Sequence, residues 1–362
     1  MKTPATIVTG FLGAGKTTLI QNLLRQADRR IALIVNEFGD LGVDGGLIRG
    51  CGIEGCADDD VVELSNGCIC CTVADDFVPA MTKLLDRADP PDHIVIETSG
   101  LALPQPLVRA FRWPELATRL TVDGVVTVLD GPAVAAGTFA ADPGAVDRQR
   151  AADDGLDHET PLSELYADQV ACADMIVVNK ADLLAEGTAP LVAELKAAAR
   201  AGVQVVPATM GALPVEVLLG RAQAAEADLS ARHEVHHDHD DDHGGDHEDG
   251  HHHADHHHDH DHGHDAFESF VVEGPEVDDP AAYAARLAQV IRDHGILRLK
   301  GFASVAGKPM RLAVQAVGPR VAHHFDRPLG ADPRGSRMVV IGQTGLDRAA
   351  IETALRAQPA PA

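Results

Sequence analysis

Aromatic residues are scarce in this 362-residue sequence: 3% of it is Phe, Trp or Tyr, although 45% is apolar. The core must therefore be aliphatic, which favours an α/β protein with buried parallel strands rich in Val and Ile. The sequence also lacks the run of roughly 18 apolar residues that a membrane span needs. Lys16 interrupts the apolar stretch from Thr3 to Leu24, which argues against a signal peptide. We therefore expect a cytoplasmic protein with no membrane partner.

Basic residues are also few, with 30 Lys and Arg against 55 Asp and Glu and a formal net charge of −25. This acidity argues against nucleic acid as the main partner. Residues 234–265 supply about half of the excess, with twelve acidic residues and no Lys or Arg. Residues 233–264 also contain fifteen of the twenty histidines. A stretch of His, Asp and Gly cannot bury a core, so it predicts a disordered linker.

Before this linker, short aliphatic runs alternate with helical patterns, which predicts a doubly wound, mostly parallel sheet. Predicted helices include Lys16–Gln26 and Thr188–Ala201. The predicted strands are Ala5–Thr9, Ile31–Asn36, His93–Thr98, Val122–Asp130, Asp174–Asn179 and Val203–Val206.

After the linker, a smaller α+β domain is predicted, without a recognisable catalytic motif. Its predicted strands are Phe267–Val272, Ile296–Val305, Met310–Val317 and Arg337–Gly342, and its predicted helices are Asp279–His294 and Asp347–Gln358. The predicted segments are therefore a first domain at residues 1–228, a linker at 229–265 and a second domain at 266–362.

A glycine-rich loop follows the first predicted strand. Gly10–Thr17 reads G-F-L-G-A-G-K-T and fits the phosphate-binding pattern G-x-x-x-x-G-K-[ST] between a strand and a helix. Glycines let backbone N–H groups wrap phosphate oxygens, and the helix N-terminus adds positive potential. We expect Lys16 to reach the β- and γ-phosphates and the Thr17 hydroxyl to bind Mg²⁺.

A second motif, Asn179-Lys-Ala-Asp182, directly follows a later strand and has the N-K-x-D pattern of GTPases. A carboxylate at Asp182 can accept hydrogen bonds from guanine N1 and N2, which adenine cannot donate in that pattern. Glu97 ends another strand, where an acidic group can hold Mg²⁺ or orient the attacking water. Glu37 and Asp40 follow the second strand, where a switch loop would sense the γ-phosphate or Mg²⁺. Capping or solvated acidic loops are the alternatives for these carboxylates.

Five of the six cysteines fall within 21 residues. Cys68, Cys70 and Cys71 place three thiols within four residues, and soft thiolates suit Zn²⁺, Co²⁺ or Cu(I) rather than Mg²⁺. Three protein ligands leave a position for water, another residue or an acceptor, which suits a carrier. A redox dithiol or small buried residues are the alternatives. Cys51 and Cys56 stay unassigned, and Cys172 is interpreted as a core residue.

These motifs together resemble the CobW family of metallochaperone GTPases, which is related to the nickel-delivering GTPases of hydrogenase and urease maturation. The shared features are G-F-L-G-A-G-K-T-T, N-E-F-G, G-C-I-C-C, E-T-S-G, N-K-A-D, the His-rich linker and the small second domain. The resemblance implies that Gly13–Thr18 bind GTP and Mg²⁺ and that the three clustered cysteines bind the metal. The predicted nucleotide-binding residues are Gly10, Gly13, Ala14, Gly15, Lys16, Thr17, Thr18, Asn179, Lys180 and Asp182. The predicted catalytic residues are Lys16 and Glu97. The predicted magnesium ligands are Thr17, Glu37 and Glu97, and the predicted ligands of the transported metal are Cys68, Cys70 and Cys71.

The resemblance also bears on the metal, since the family includes cobalt and zinc members. Residues 50–56 and 97–106 look most like the members that supply cobalt for cobalamin synthesis. We therefore expect a GTP-dependent Co²⁺ chaperone that delivers its ion to a cobaltochelatase or another acceptor.

There are three alternatives to cobalt delivery. A zinc chaperone keeps the fold and changes the ion, and thiolate chemistry alone favours Zn²⁺ over Co²⁺. A metal buffer or store would use the histidine run, with the nucleotide site auxiliary, and that run could also be a solubilising acidic linker. A P-loop kinase of a small metabolite is disfavoured by the N-K-A-D motif.

Overall fold

Two β-sheets organise the protein in the computed structural model, which describes residues 2–36, 61–64, 77–152, 162–229, 232, 266–330 and 333–357. The first sheet has seven parallel strands in the order β3-β2-β4-β1-β5-β6-β7. Its strands are β1 (Thr3–Thr9), β2 (Ile31–Asn36), β3 (Val61–Leu64), β4 (His93–Glu97), β5 (Leu120–Asp130), β6 (Met175–Asn179) and β7 (Gln204–Pro207).

Helices cover both faces of this sheet. They are α1 (Lys16–Gln26), α2 (Val78–Leu85), α3 (Pro104–Ala110), α4 (Pro114–Ala117), α5 (Gly131–Ala135), α6 (Pro143–Ala152), α7 (Leu162–Cys172), α8 (Ala189–Ala198) and α9 (Val215–Leu218), with 3₁₀ turns at Ala181–Leu183 and Ala225–Ala227. Successive residues of β1 belong to different cores, since Ile7 packs with Met81 of α2 and Val8 with Leu19 of α1. A strand buried on both faces reads as a continuous aliphatic run, as the sequence does here.

The second sheet is antiparallel, with five strands in the order β11-β10-β9-β12-β8. Its elements are β8 (Phe267–Gly274), α10 (Pro280–His294), β9 (Arg298–Ser304), β10 (Met310–Val317), β11 (Arg320–Pro328), β12 (Ser336–Gln343) and α11 (Arg348–Arg356). Leu287 of α10 and Ile351 of α11 are fully buried in one core with Leu299 and Val340 of the sheet. The α+β prediction for this half is confirmed.

The two halves share a contact surface. Leu297 and Ile341 pack into the core that also contains Leu218 and Leu219. Arg298 is 8% exposed and donates to the backbone carbonyls of Glu216 and Leu219. These contacts tie β9 and β12 to α9 and to Leu219, the residue directly after it.

The predicted fold class is confirmed, and most predicted strands are found within two residues of their predicted ends. The sequence analysis missed β3 and β11. The predicted linker at 229–265 begins too early, because Leu229 packs against the core and Arg232 is buried. The other linker residues, together with Glu37, Asp40 and the cysteines at 51, 56, 68, 70 and 71, lie outside the described residues. Among the residues that are described, no helix is both long enough and apolar enough to cross a membrane.

Candidate nucleotide site

The glycine-rich loop lies between β1, the central strand, and α1. Gly10 has a φ of 137°, and a Cβ there would lie 2.0 Å from the backbone oxygen of Val128. Gly15 has a φ of 98°, and its Cβ would lie 2.2 Å from Nδ2 of Asn179. Both positions therefore require glycine, because the backbone conformation and the close approach of β5 and β6 exclude a side chain.

Lys16 is enclosed by this loop. Its side chain is buried, and Nζ donates to the carbonyl oxygens of Gly10 at 2.8 Å and Phe11 at 3.2 Å. The same residue begins α1, whose first turn contains no acidic residue. The ammonium and the positive end of the helix dipole therefore act together at the loop, and this combination suits a phosphate group.

Thr17 and Glu97 meet beside the loop. The Thr17 hydroxyl donates to Oε1 of Glu97 at 3.1 Å, and Glu97 is 4% exposed. The register of β1 and β4 pairs Val8 with Glu97, so the carboxylate stands where β1 ends. A hydroxyl and a carboxylate oxygen are hard ligands of the kind that Mg²⁺ prefers, so these two residues fit the ion.

Asn179 joins three parts of the site. Its side chain is buried, with Nδ2 donating to the carbonyl oxygen of Ala14 at 2.8 Å. Its Oδ1 accepts from the backbone N–H of Gly211 at 2.9 Å. The first residue of the N-K-x-D motif therefore holds the phosphate loop against the segment that follows β7, a contact that sequence analysis did not predict.

Lys180 has an unusual backbone, with a φ of 56°. Such left-handed residues other than glycine cost about 1 kcal/mol or more and persist only where their surroundings fix them. Here Nζ of Lys180 lies 2.6 Å from Oδ2 of Asp130, which is 2% exposed. Sequence analysis did not select Asp130, although its place at the end of an aliphatic strand was a usable signal.

Asp182 follows in the 3₁₀ turn Ala181–Leu183 and is exposed at the same edge of the sheet. An exposed carboxylate there is accessible to a guanine base. Together these contacts bring Lys16, Thr17, Glu97 and the N-K-x-D motif to one edge of the sheet, as their positions after parallel strands predict. Gly13 and Thr18 lie on the same loop and helix turn. The ligand roles of all these residues stay predictions.

The predicted cargo site cannot be placed in the same way, because Cys68, Cys70 and Cys71 and the magnesium candidate Glu37 lie outside the described residues. Within the described ranges, no group of three or more His, Cys, Asp or Glu side chains is arranged to hold a metal ion. Cys172 is fully buried, and burial raises the pKa of its thiol to about 11. Its interpretation as a core residue is confirmed.

Comparison with known proteins places the chain in a family. Residues 4–207 match the model of the CobW/HypB/UreG nucleotide-binding domain, and residues 267–358 match the cobalamin synthesis protein cobW C-terminal domain. Among curated relatives, "Zinc chaperone CobW" of Sinorhizobium sp is 52% identical, covering 98% of this chain and 97% of its own. A protein of the same name from Pseudomonas aeruginosa is 53% identical, and the match covers 98% of this chain and 91% of the relative. "Zinc chaperone YjiA" of Escherichia coli is 30% identical, and the match covers 93% of each chain. The chain therefore belongs to the CobW/HypB/UreG family, and the prediction that it is a GTPase is confirmed.

Proposed function

We propose that this protein is a GTP-dependent zinc chaperone, in which the nucleotide controls a zinc ion held by Cys68, Cys70 and Cys71. The convergence of Lys16, the Thr17–Glu97 pair and the N-K-x-D motif at one sheet edge carries the nucleotide part of this proposal. The thiol cluster and the names of full-length relatives support the metal part.

The nucleotide chemistry follows from the contacts of the site. Lys16 exchanges the carbonyl oxygens of Gly10 and Phe11 for phosphate oxygens, because an anion attracts the ammonium more strongly than a neutral carbonyl does. Glu97 and Thr17 are the residues that would hold Mg²⁺, which supplies charge neutralisation at the phosphates when bound. Glu97 is also placed to orient the attacking water, and Asp182 selects guanine.

Zinc replaces cobalt as the favoured cargo. The relatives that match nearly the whole chain are named zinc chaperones, so the expected delivery of cobalt for cobalamin synthesis is not supported by them. Thiolate ligands also bind Zn²⁺ more tightly than Co²⁺ in the usual order of divalent metals. The expected cobaltochelatase thereby loses its support, and the acceptor becomes a protein that requires zinc.

The position of the thiols along the chain explains how nucleotide state would reach the metal. β3 is an edge strand that pairs with β2, and β2 pairs with β4, so Val35 stands between Glu63 and Glu97 in the strand register. Cys68 follows Leu64, the last residue of β3, by only four residues, a reach of at most about 14 Å. The proposed zinc ligands therefore follow, a few residues along the chain, a strand that only β2 separates from β4, which ends at Glu97.

A competitive metal titration of the Mg²⁺–GTP form tests this proposal. The wild-type chain and Cys70→Ser are titrated with Zn²⁺ and Co²⁺ against a chromogenic chelator. One tight ion that prefers Zn²⁺ and disappears in Cys70→Ser supports a zinc chaperone. A preference for Co²⁺ would return the assignment to cobalt, and many weak ions with no effect of Cys70→Ser would favour the histidine-rich buffer.

A further inference from the structure

We propose that Asp130 is a positioning residue for guanine recognition, acting through Lys180 on the turn that carries Asp182. The inference rests on the proposed role of Asp182 in pairing with the base. It assigns a function to a buried carboxylate that belongs to none of the sequence motifs.

The geometry around Asp130 supports this role. Asp130 ends β5, and the register of β5 and β6 pairs it with Asn179, the residue directly before Lys180. Its Oδ2 lies 2.6 Å from Nζ of Lys180, and the carboxylate is 2% exposed whereas the lysine side chain is 30% exposed. A buried charge requires a partner, so this carboxylate fixes the position of the lysine side chain.

The lysine in turn fixes the turn that follows it. Lys180 has a left-handed backbone with a φ of 56°, and its carbonyl oxygen accepts from the N–H of Leu183. The N–H of Ala181 donates to the carbonyl oxygen of Ala208 at 3.0 Å. Asp182 therefore lies in a turn whose preceding residue, Lys180, is held by Asp130 and whose first residue, Ala181, is held by the segment after β7.

A simpler role for Asp130 is to cap a helix. Its Oδ1 accepts from the N–H of Ala133 at 3.1 Å in the first turn of α5. A cap occupies one oxygen and leaves Oδ2 for the lysine, so both roles are present. They differ in what they affect, because a cap alone contributes to stability and not to the choice of base.

The test is a double-mutant cycle on the full chain with GTP and ITP as probes, since inosine lacks the 2-amino group. Asp130→Asn keeps a side-chain oxygen for the cap and removes the charge that pairs with Lys180. We expect GTP to bind about tenfold more weakly, which corresponds to about 1.4 kcal/mol. The affinity for ITP should fall by a smaller factor, because inosine offers Asp182 one hydrogen-bond donor fewer than guanosine. The preference for GTP over ITP should therefore shrink.

The cycle is completed with Lys180→Met and the double variant. If Asp130 acts through Lys180, the double variant binds GTP no more weakly than Lys180→Met alone. Asp142→Asn is the matched control, because Asp142 also accepts from a backbone N–H, that of Ala145, at a helix start without contacting Lys180. It should leave both affinities unchanged.

The inference would be overturned if the losses of GTP affinity in the two single variants were additive in the double variant. An unchanged ratio of GTP to ITP affinity in Asp130→Asn would also overturn it, even if that variant unfolds more easily. A wild-type chain that shows no preference for GTP over ATP would instead remove the proposed guanine recognition. The two failures are therefore distinguishable.

Discussion

Among single residues, Asp182 is the one on which the choice of base is proposed to depend, and its side chain is exposed in the turn after β6. Its carboxylate matches the N1 and N2 donors of guanine, whereas xanthine presents an oxygen in place of the N2 amine. Asp182→Asn should therefore weaken GTP binding by at least about tenfold and improve binding of xanthosine triphosphate. Fluorescence titration with both nucleotides measures the change. Equal GTP affinity in the variant and the wild type would remove the guanine assignment.

At the scale of elements, a buried polar contact joins the central strands away from the motifs. The Thr6 hydroxyl of β1 and Nε2 of His93 in β4 form a hydrogen bond of 2.8 Å, and the hydroxyl also donates to Asp123 of β5 at 3.5 Å. His93 is fully buried. Burial lowers the pKa of its imidazole from 6.5 to about 4, a shift that Asp123 opposes and Arg29 reinforces.

This pKa makes the first domain sensitive to acid. Between pH 6.5 and about 4 the unfolded chain binds a proton at His93 that the folded chain does not, so the free energy of unfolding falls as pH falls. From pH 7 to 5 the loss is about 2 kcal/mol. Urea unfolding at pH 7 and pH 5, followed by the fluorescence of the single tryptophan, Trp113, measures it. His93→Gln should lose less stability over this range, and an equal loss in both chains would contradict the assignment.

The strands and their contacts differ in how well the sequence predicts them. β4 and β6 were found because every residue in them is buried and aliphatic runs mark such strands. β3 has only four residues, too few to establish a strand period, and β11 is exposed along nearly its whole length and so has no hydrophobic pattern to detect. The motifs likewise located Lys16, Thr17 and Glu97, because their chemistry is local in sequence. The bonds of Asn179 to Gly211 and of Asp130 to Lys180 span 32 and 50 residues and could not be read from it.

In the molecule as a whole, the two described residues that flank the histidine-rich run, Arg232 and Ala266, lie at different places. Arg232 is buried and pairs with Asp174 at 2.6 Å, just before β6 begins. Ala266 instead lines a cleft of about 1080 Å³ that also contains Asp182, beyond the end of β6. A variant that tests the histidine-rich run should therefore keep the number of residues between Arg232 and Ala266. Substitution of the histidines keeps this number, and deletion of the run does not.

Replacing the fifteen histidines of residues 233–264 with asparagine gives such a test. The number of weakly bound zinc ions should fall, and one tight ion should remain, since the run has many ligands in loose spacing whereas the thiols are clustered. The weak ions of the wild type should also be released first on acidification, because ordinary imidazoles protonate near pH 6.5. Equilibrium dialysis at pH 7.5 and 6 counts the ions. Loss of the tight ion on substitution would mean that the cysteines are not the primary site.

The proposed coupling of nucleotide and metal has a path through the parallel sheet. Thr17 contacts Glu97, Glu97 is paired in register with Val35, and Val35 with Glu63 of the strand that leads to Cys68. A nucleotide that changes the Thr17–Glu97 contact is therefore expected to act, through β4 and β2, on the strand that precedes the proposed zinc ligands. By linkage, if GTP tightens zinc binding, zinc tightens GTP binding by the same factor.

A chaperone needs a large factor, because a tenfold change is only about 1.4 kcal/mol. We expect Zn²⁺ to bind at least about a hundredfold more tightly with Mg²⁺–GTP than with Mg²⁺–GDP, twice that free energy. Chelator competition in both nucleotide states measures the ratio, and Co²⁺ substituted for Zn²⁺ reports thiolate ligation through its absorption. Lys16→Ala should abolish the effect of GTP and leave the weak histidine sites unchanged, since Lys16 belongs to the phosphate loop alone. Cys68→Ser, Cys70→Ser and Cys71→Ser should instead remove the tight ion in both states. Equal zinc affinities with GTP and GDP in the wild type would exclude a nucleotide switch, and the protein would then hold zinc without a means of releasing it on hydrolysis.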